Sequence, residues 1–431
     1  MATIGPTADT ADTGPRPSLR RPIPAEMVER GPCPFDPPQG LRVLHSRDPI
    51  SPVTLTNGAR AWVVTGYDEA RAIFGDTRFS SDRIRHRDAL SLLPQEVDAH
   101  APAPAHPTPP AGEGPGHGLF IFMDPPEHTR LRKLLVGQFT VRRMRALEEQ
   151  VTRYATDLVE TMRGAGTSAD LVSAFALPLP SLVICDLLGV DYADRAEFQE
   201  RAAVALNLGL SEDERHRAST EMRAFMASLV AAKREAPTDD LLSGLVHDTA
   251  AALSDTELVD IAQILLTAGH ETTANMLALG TFALLEHPDQ LAALRDDPAL
   301  VDTAVEELLR YLSILHLGIS RVATEDVVVG DMRIAAGETV LLAIPEANRD
   351  GEHWPDPDRL DLSRPRSPHL AFGHGVHQCL GQQLARVEMR VGYTELLRRL
   401  PDLALAVAPD EVPLRTDMVV YGVHSLPVTW S

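Results

Sequence analysis

Apolar residues recur at helical spacing over most of the chain, and strand-like alternation is confined to short stretches. The longest helical pattern opens at Ser254-Asp-Thr-Glu257, where a serine and a glutamate three residues on can satisfy each other's free amides, and it continues to Pro288. About 32 residues at about 1.5 Å each give a rod on the order of 48 Å, enough to cross a molecule. From Ile261 to Leu285 the rod is apolar around most of its circumference, the mark of a buried helix, while Asp260, Gln263, His270 and Glu271 argue against a membrane span. A second helix is predicted after Cys379, with Leu380, Leu384, Val387 and Val391 on one face, and a third opens at Asp124-Pro-Pro-Glu127, where a proline costs little.

The rest of the pattern is coarser. Residues 141–250 alternate helical stretches with breaks, 207–219 read as a polar loop, and the apolar run from Phe175 to Gly189 reads as core with Cys185 inert inside it. Ala61–Thr65 predicts a strand followed by a helix over Tyr67–Phe74. Further strands are expected in 315–330, 337–344 and 419–430, with Tyr421 and Gly422 at a turn near a substrate. Residues 1–24 lack periodicity and predict a disordered tail; 94–118 are dense in proline and predict a long loop, either a lid or an inert insert. The expected architecture is mainly α: one α-rich domain over 25–431 with a small β-region.

Composition narrows the functional classes. A net charge of −21 argues against nucleic acid and anionic membrane as partners. Lys133 and Lys233 are the only lysines, so the positive charge is almost all arginine, which favours fixed pairing with carboxylates. Three cysteines, Cys33, Cys185 and Cys379, lie far apart and suggest no disulfide framework. The start of the chain lacks the basic and apolar segments of a signal peptide, and no run of 18 uncharged apolar residues occurs, so a cytoplasmic protein is expected.

Candidate chemistry concentrates in Phe372-Gly-His-Gly-Val-His-Gln-Cys-Leu-Gly381. Gly373 and Gly375 allow backbone conformations that a side chain forbids, and Gly381 keeps the next turn thin. A cysteine at the start of a helix meets free amides and the positive end of the helix dipole, which favour the thiolate. Isolated cysteines are usually inert, and His374, His377 and Cys379 fall short of the four ligands that structural zinc takes. The pattern Phe-Gly-x-Gly-x-His-x-Cys-x-Gly resembles the haem-binding signature of the cytochromes P450, in which the cysteine thiolate is the axial iron ligand.

Three further motifs stand in that family's order, and the resemblance extends over 30–431, nearest the actinobacterial branch of vitamin D hydroxylases, macrolide-tailoring enzymes and degraders of foreign compounds. Ala268-Gly269-His270-Glu271-Thr272-Thr273, a costly sequence inside a helix, resembles the oxygen-activating segment; this implies that Glu271 and Thr272 manage protons and that Gly269 leaves room for dioxygen. Glu307-x-x-Arg310 resembles the Glu-x-x-Arg element behind the haem, with Arg359 as a third member. His128-x-x-x-Arg132 resembles the family's propionate-binding pair, with Arg321 and His377 in the same role.

The resemblance thus implies haem b, iron protoporphyrin IX, bound by His128, Arg132, Ala268, Gly269, Arg321, Phe372, Gly373, His377, Cys379 and Gly381, with Cys379 on the metal. It implies a monooxygenase that puts one atom of dioxygen into a lipophilic small molecule, by hydroxylation or epoxidation of a macrolide, polyketide or terpenoid. A xenobiotic or steroid-like substrate, and a peroxide-using or coupling enzyme, are the alternatives, with a non-enzymatic haem sensor as the rival outside enzymes. No Gly-x-Gly-x-x-Gly follows a strand, so electrons are expected from a separate ferredoxin and ferredoxin reductase, with Arg130 and Lys133 as docking charges. The helices of 190–235 are expected to roof the pocket, and His316 is either hydrogen-bonded or a substrate contact.

Overall fold

The long helix forms as its caps dictate. The Ser254 hydroxyl accepts the Glu257 N–H at 3.2 Å, the Glu257 carboxylate accepts the Ser254 N–H at 2.8 Å, and the helix then runs unbroken over Asp255–Glu286. In this computed structural model, which describes residues 23–55, 58–82, 85–86, 116–191, 195–248 and 252–431, it is the axis on which the other helices pack. The tail up to residue 22 and the proline-dense segment from 94 to 115 lie outside the described residues. Leu266, Leu279, Phe282 and Leu284 are fully buried, each contributing about 1.5–3 kcal/mol by leaving water. Helices Pro178–Leu188, Glu212–Glu235, Val301–Leu312 and Gln382–Arg399 lie against it.

Several boundaries differ from the sequence expectation. Residues 212–219 are helical because Ser211 and Glu214 form the same reciprocal cap as Ser254 and Glu257. Cys379 does not open its helix: Gln382 does, with Gly381 at the cap position. Gly189, at φ +72°, ends the Pro178–Leu188 helix in the left-handed conformation that glycine allows.

The β-region is small and sits to one side. Strands β1 (Ile50–Thr54) and β2 (Arg60–Val64) pair antiparallel, with β2 in the place predicted for it. With β3 (Phe79–Ser80), β5 (Ile319–Ala323) and β8 (Thr339–Leu342) they form a five-stranded sheet in the order β1-β2-β8-β5-β3. β4 (Ser168–Asp170), β10 (Pro427–Thr429) and β9 (Ala404–Leu405) make a second sheet, and β6 (Val327–Val329) pairs with β7 (Met332–Ile334). Ile50, Val64, Val340 and Leu342 bury one face of the larger sheet against the helix Tyr67–Gly75.

Helix Val301–Leu312 fastens the region behind the cysteine loop. Arg310, 2% exposed, forks onto Glu307 through Nε and Nη2, both at 2.8 Å, and donates Nη1 to the carbonyls of Asn348 and Pro357. The third member is Arg364, whose Nε donates to Glu307 Oε1 at 3.1 Å. Arg359, expected in that role, offers only its backbone carbonyl, and its side chain is exposed. Sequence order alone could not separate two arginines five residues apart on an irregular turn. Breaking a buried pair strands a charge at a cost of about 3–5 kcal/mol, while an exposed side chain is worth within about 0.5 kcal/mol. Arg310→Ala should therefore lower the thermal midpoint most and Arg364→Ala clearly, whereas Arg359→Ala should unfold as the parent does.

Candidate active site

A cavity of about 340 Å³ lies between the middle of the long helix and the cysteine loop. Its wall is mainly apolar: Phe120, Phe122, Ile184, Ile264, Leu265 and Ile314 are among its lining. Residues from both motifs reach it. Ala268, Gly269 and Thr272 line it from the long helix, and Phe372, Gly373, His377, Cys379 and Gly381 from the loop. Arg132 and Arg321 also line it. His128 and Glu271, expected at the same site, do not form part of the wall.

The cysteine loop owes its shape to two glycines. Gly373 and Gly375 adopt φ of +67° and +72°, and a Cβ on Gly375 would collide with the carbonyl of Phe74, so the loop lies directly on helix Tyr67–Gly75. The Cys379 N–H donates to the Phe372 carbonyl at 2.8 Å, which closes the loop on itself. Arg386 lies 4.5 Å from the Phe372 ring and forks onto Glu306 at 2.6 and 3.0 Å. Burial alone would raise the Glu306 carboxyl, but hydrogen bonds from His369 and Arg386 hold it at about 2.

Burial pushes the Cys379 thiol up from its ordinary value. The N–H groups of Gly381 and Gln382, together with Arg132 and Arg386, pull it the other way without offsetting burial. The thiolate that the loop's position near a helix start suggests is therefore not secured by the protein alone. It requires a cation against the sulfur, as a metal ion would supply. Among the described residues no cluster of three or more His, Cys, Asp or Glu could hold a metal, so Cys379 offers a single protein ligand and zinc is ruled out on donor count.

Near the sulfur the basic groups gather, with Asp124 acting on His128 from one side. The His128 ring, 1% exposed, lies 4.1 Å from that of His377, and neither nitrogen of His128 has a hydrogen-bond partner. Burial, with Arg132 beside it, holds His128 down to about 4. Burial, with His128, Arg321 and Arg132 around it, holds His377 down to about 3. Arg132 donates Nη2 to the Gln378 carbonyl at 2.5 Å, and the Arg321 guanidinium sits 5.7 Å from the Phe74 ring. A buried basic cluster with unused donors suits an anion. Together with one thiol facing an apolar cavity, the set fits a flat, largely apolar metal complex bearing carboxylates, as haem does.

The oxygen motif resolves into two environments. The Thr272 hydroxyl donates to the Ala268 carbonyl at 2.7 Å and stays on the cavity wall. Gly269 lines the cavity too, but a Cβ there would meet Ile184 Cδ1 at 3.2 Å, so the glycine also serves a close helix contact. Glu271 is 1% exposed, and its Oε2 accepts from Arg415 at 2.9 Å and from Asn275 at 3.4 Å.

Other expectations are redirected. His316 donates Nε2–H to the Met418 carbonyl at 2.7 Å and is not in the cavity wall, which is the hydrogen-bonded alternative. Tyr421 is fully buried and donates to the Pro34 carbonyl at 2.8 Å, so it is a packing residue rather than a substrate contact. Helices Arg195–Ala205 and Glu212–Glu235 cross the long helix, yet Ile184, outside the pair, reaches the wall and no described side chain of the pair does. Arg130 and Lys133 are both exposed, but Arg130 is paired with Glu257. Sequence reasoning missed Phe120 and Phe122, which the apolar run Leu119–Phe122 signals. It missed Arg415, Asp260 and Glu388 because their partners are distant in sequence. Asp260 accepts the amides of Gly116 and Gly118 at 2.9 and 3.0 Å and pairs with Arg223.

Comparison with known proteins agrees with this geometry. The family profile described as Cytochrome P450 matches residues 210–413. Cytochrome P450-SU2 of Streptomyces griseolus is 50% identical over 398 residues, 92% of this chain and 94% of that one. Pentalenic acid synthase of Streptomyces avermitilis is 43% identical over 401 residues, 92% and 95% of the two chains. The crystal structure of CYP105P1 in complex with filipin I superposes with a TM-score of 0.85 at 42% identity, covering 93% of this chain and 98% of that one. With half its residues shared over nearly full length and the same fold, this chain belongs to the cytochrome P450 family and is a haem-dependent monooxygenase.

Proposed function

We propose that the chain binds haem b, with Cys379 supplying its thiolate ligand, and inserts one atom of dioxygen into a lipophilic secondary metabolite by hydroxylation or epoxidation. The observation that carries this is the apolar cavity lined at once by the Cys379 loop and by Thr272 of the oxygen motif. When bound, the haem supplies the iron at which dioxygen is activated, and thiolate donation assists O–O cleavage.

This chain's own residues do the rest. Arg132 and Arg321 would hold the propionates, with His377 in the wall and the His128 ring tilted against it at 4.1 Å. Phe372, Gly373 and Gly381 would shape the loop against the bound group, and Ala268 and Gly269 would bound it from the long helix. Thr272 presents a hydroxyl to the cavity, and Glu271, adjacent but withdrawn, is the acid that relays protons to it. The apolar wall keeps water out and selects lipophilic molecules. Two relatives point the same way: one is named pentalenic acid synthase, and the other is a structure with filipin I bound.

Bacterial members of the family draw electrons from separate redox proteins; here a ferredoxin and its reductase are proposed, with exposed Lys133 a docking charge. Among the described residues no helix is long and apolar enough to cross a membrane; Cys33, Cys185 and Cys379 carry no disulfide, and a reducing cytoplasm is the proposed setting.

Three outcomes are expected. The reduced carbon monoxide complex should show the red-shifted Soret band of thiolate-bound haem, and Cys379→Ser should abolish it; an unchanged spectrum would refute the assignment. Arg321→Ala should release haem to apomyoglobin faster by about tenfold or more, as loss of a charge-assisted hydrogen bond implies. Thr272→Ala should lower product formed per electron pair by at least about tenfold while reductant is still consumed, since proton delivery and not electron entry is lost. Spectral titration with a panel of macrolides, polyketides, terpenoids and foreign compounds identifies the substrate class.

A further inference from the structure

Glu271 is held in a way that the oxygen motif itself does not explain. Its Oε2 takes the Arg415 Nη2–H at 2.9 Å and a longer contact from Asn275, whose Nδ2 also donates to the Glu271 carbonyl at 2.7 Å. Its Oε1 lies 3.9 Å from His270 Nδ1, beyond hydrogen-bond range. Oε2 therefore carries both contacts, and the carboxylate is directed at Arg415 and Asn275 rather than at the cavity wall, of which Glu271 forms no part. Arg415 is 7% exposed, and its Nε is buried without a partner. A buried ion pair with an unused donor is a poor stabiliser, because desolvation costs roughly what the attraction returns. A purely structural account leaves that donor unexplained.

Arg415 is also placed from outside the helix. It sits on the C-terminal hairpin, where Leu414 bridges Val423 and the Arg415 N–H donates to the Gly422 carbonyl at 2.9 Å. Gly422 has no room for a Cβ because the Asn275 amide fills that space. The same hairpin donates and accepts at two other places. Leu208 N–H reaches the Asp417 carbonyl at 2.6 Å and Val419 N–H the Leu206 carbonyl at 3.1 Å, in the segment between helices Arg195–Ala205 and Glu212–Glu235. Tyr421 N–H reaches the carbonyl of Ile314, a cavity-wall residue, at 2.8 Å.

We propose that Arg415 is a positioning residue for oxygen activation: it fixes the Glu271 carboxylate at the geometry from which protons pass to Thr272, and the hairpin sets that geometry through its bonds to the 206–208 segment and to the cavity-wall residue Ile314. The proposal rests on the proton-relay reading of Glu271, which Glu271→Gln tests by itself.

The test compares product formed per electron pair, and the solvent deuterium isotope effect on turnover, in Arg415→Gln, Glu271→Gln and the double variant, with substrate affinity followed by spectral titration. Arg415→Gln should lower coupling about tenfold, the loss expected when one charge-assisted bond goes, and should alter the isotope effect while substrate affinity holds. The double variant should be no worse than Glu271→Gln. Wild-type coupling in Arg415→Gln, or a defect that adds in full to that of Glu271→Gln, would overturn the proposal. Wild-type coupling in Glu271→Gln would instead overturn the relay reading, and the proposal with it. Should Arg415→Gln fail to retain haem, Glu271→Asp draws the carboxylate back by one methylene with the hairpin intact: lost coupling at unchanged stability supports the role, and wild-type coupling refutes it.

Discussion

The structure depends on keeping one sulfur atom buried beside an apolar cavity. Burial opposes the thiolate, and the amides of Gly381 and Gln382 do not overcome it, so the protein's own groups favour the thiol and a cation against the sulfur would favour the thiolate. The rim follows the same logic: burial, with Arg132 beside both rings and Arg321 beside His377, holds His128 and His377 neutral. Both sets of groups are kept from their charged forms by burial, and a charged guest is what would change that. Holding these groups near one another against their preference for water falls to the helices behind them.

Two adjacent glutamates on helix Val301–Leu312 divide that work. Glu307 holds Arg310 and Arg364 and so ties the irregular segment before the cysteine loop, while Glu306 holds Arg386 on the helix after it. The loop is therefore fixed at both ends from one helix, and Gly375 presses it onto the Phe74 carbonyl from a third side. The scarcity of lysine fits this use of charge, since arginine's fork makes two directed bonds per side chain.

Much of this was legible in the sequence where the governing interactions are local. The capping box at Ser254, the strand and helix at 60–75 and the glycines of the cysteine loop each follow from neighbours within a few residues. The same rule at Ser211 was obscured by the polar composition around it. The site was partly legible: the motifs named the two sides of the cavity that carry its chemistry, but most of its apolar lining, and which group leaves the wall, could not be read. Glu271 turns away because Arg415, 144 residues later, draws it, and Arg359 yields to Arg364 because the turn between them points one side chain outward. Such outcomes depend on contacts between distant segments, which periodicity does not encode.

Asp260 carries a further implication. Its carboxylate receives two amides from the strip that leads to Phe120 and Phe122, together with the Arg223 guanidinium from the Glu212–Glu235 helix. That helix and that strip are thus moored to one point on a rigid rod. Sliding either away from the rod would strand a buried anion that is 1% exposed, so one acid, remote from the reaction, penalises any separation of the strip and the helix.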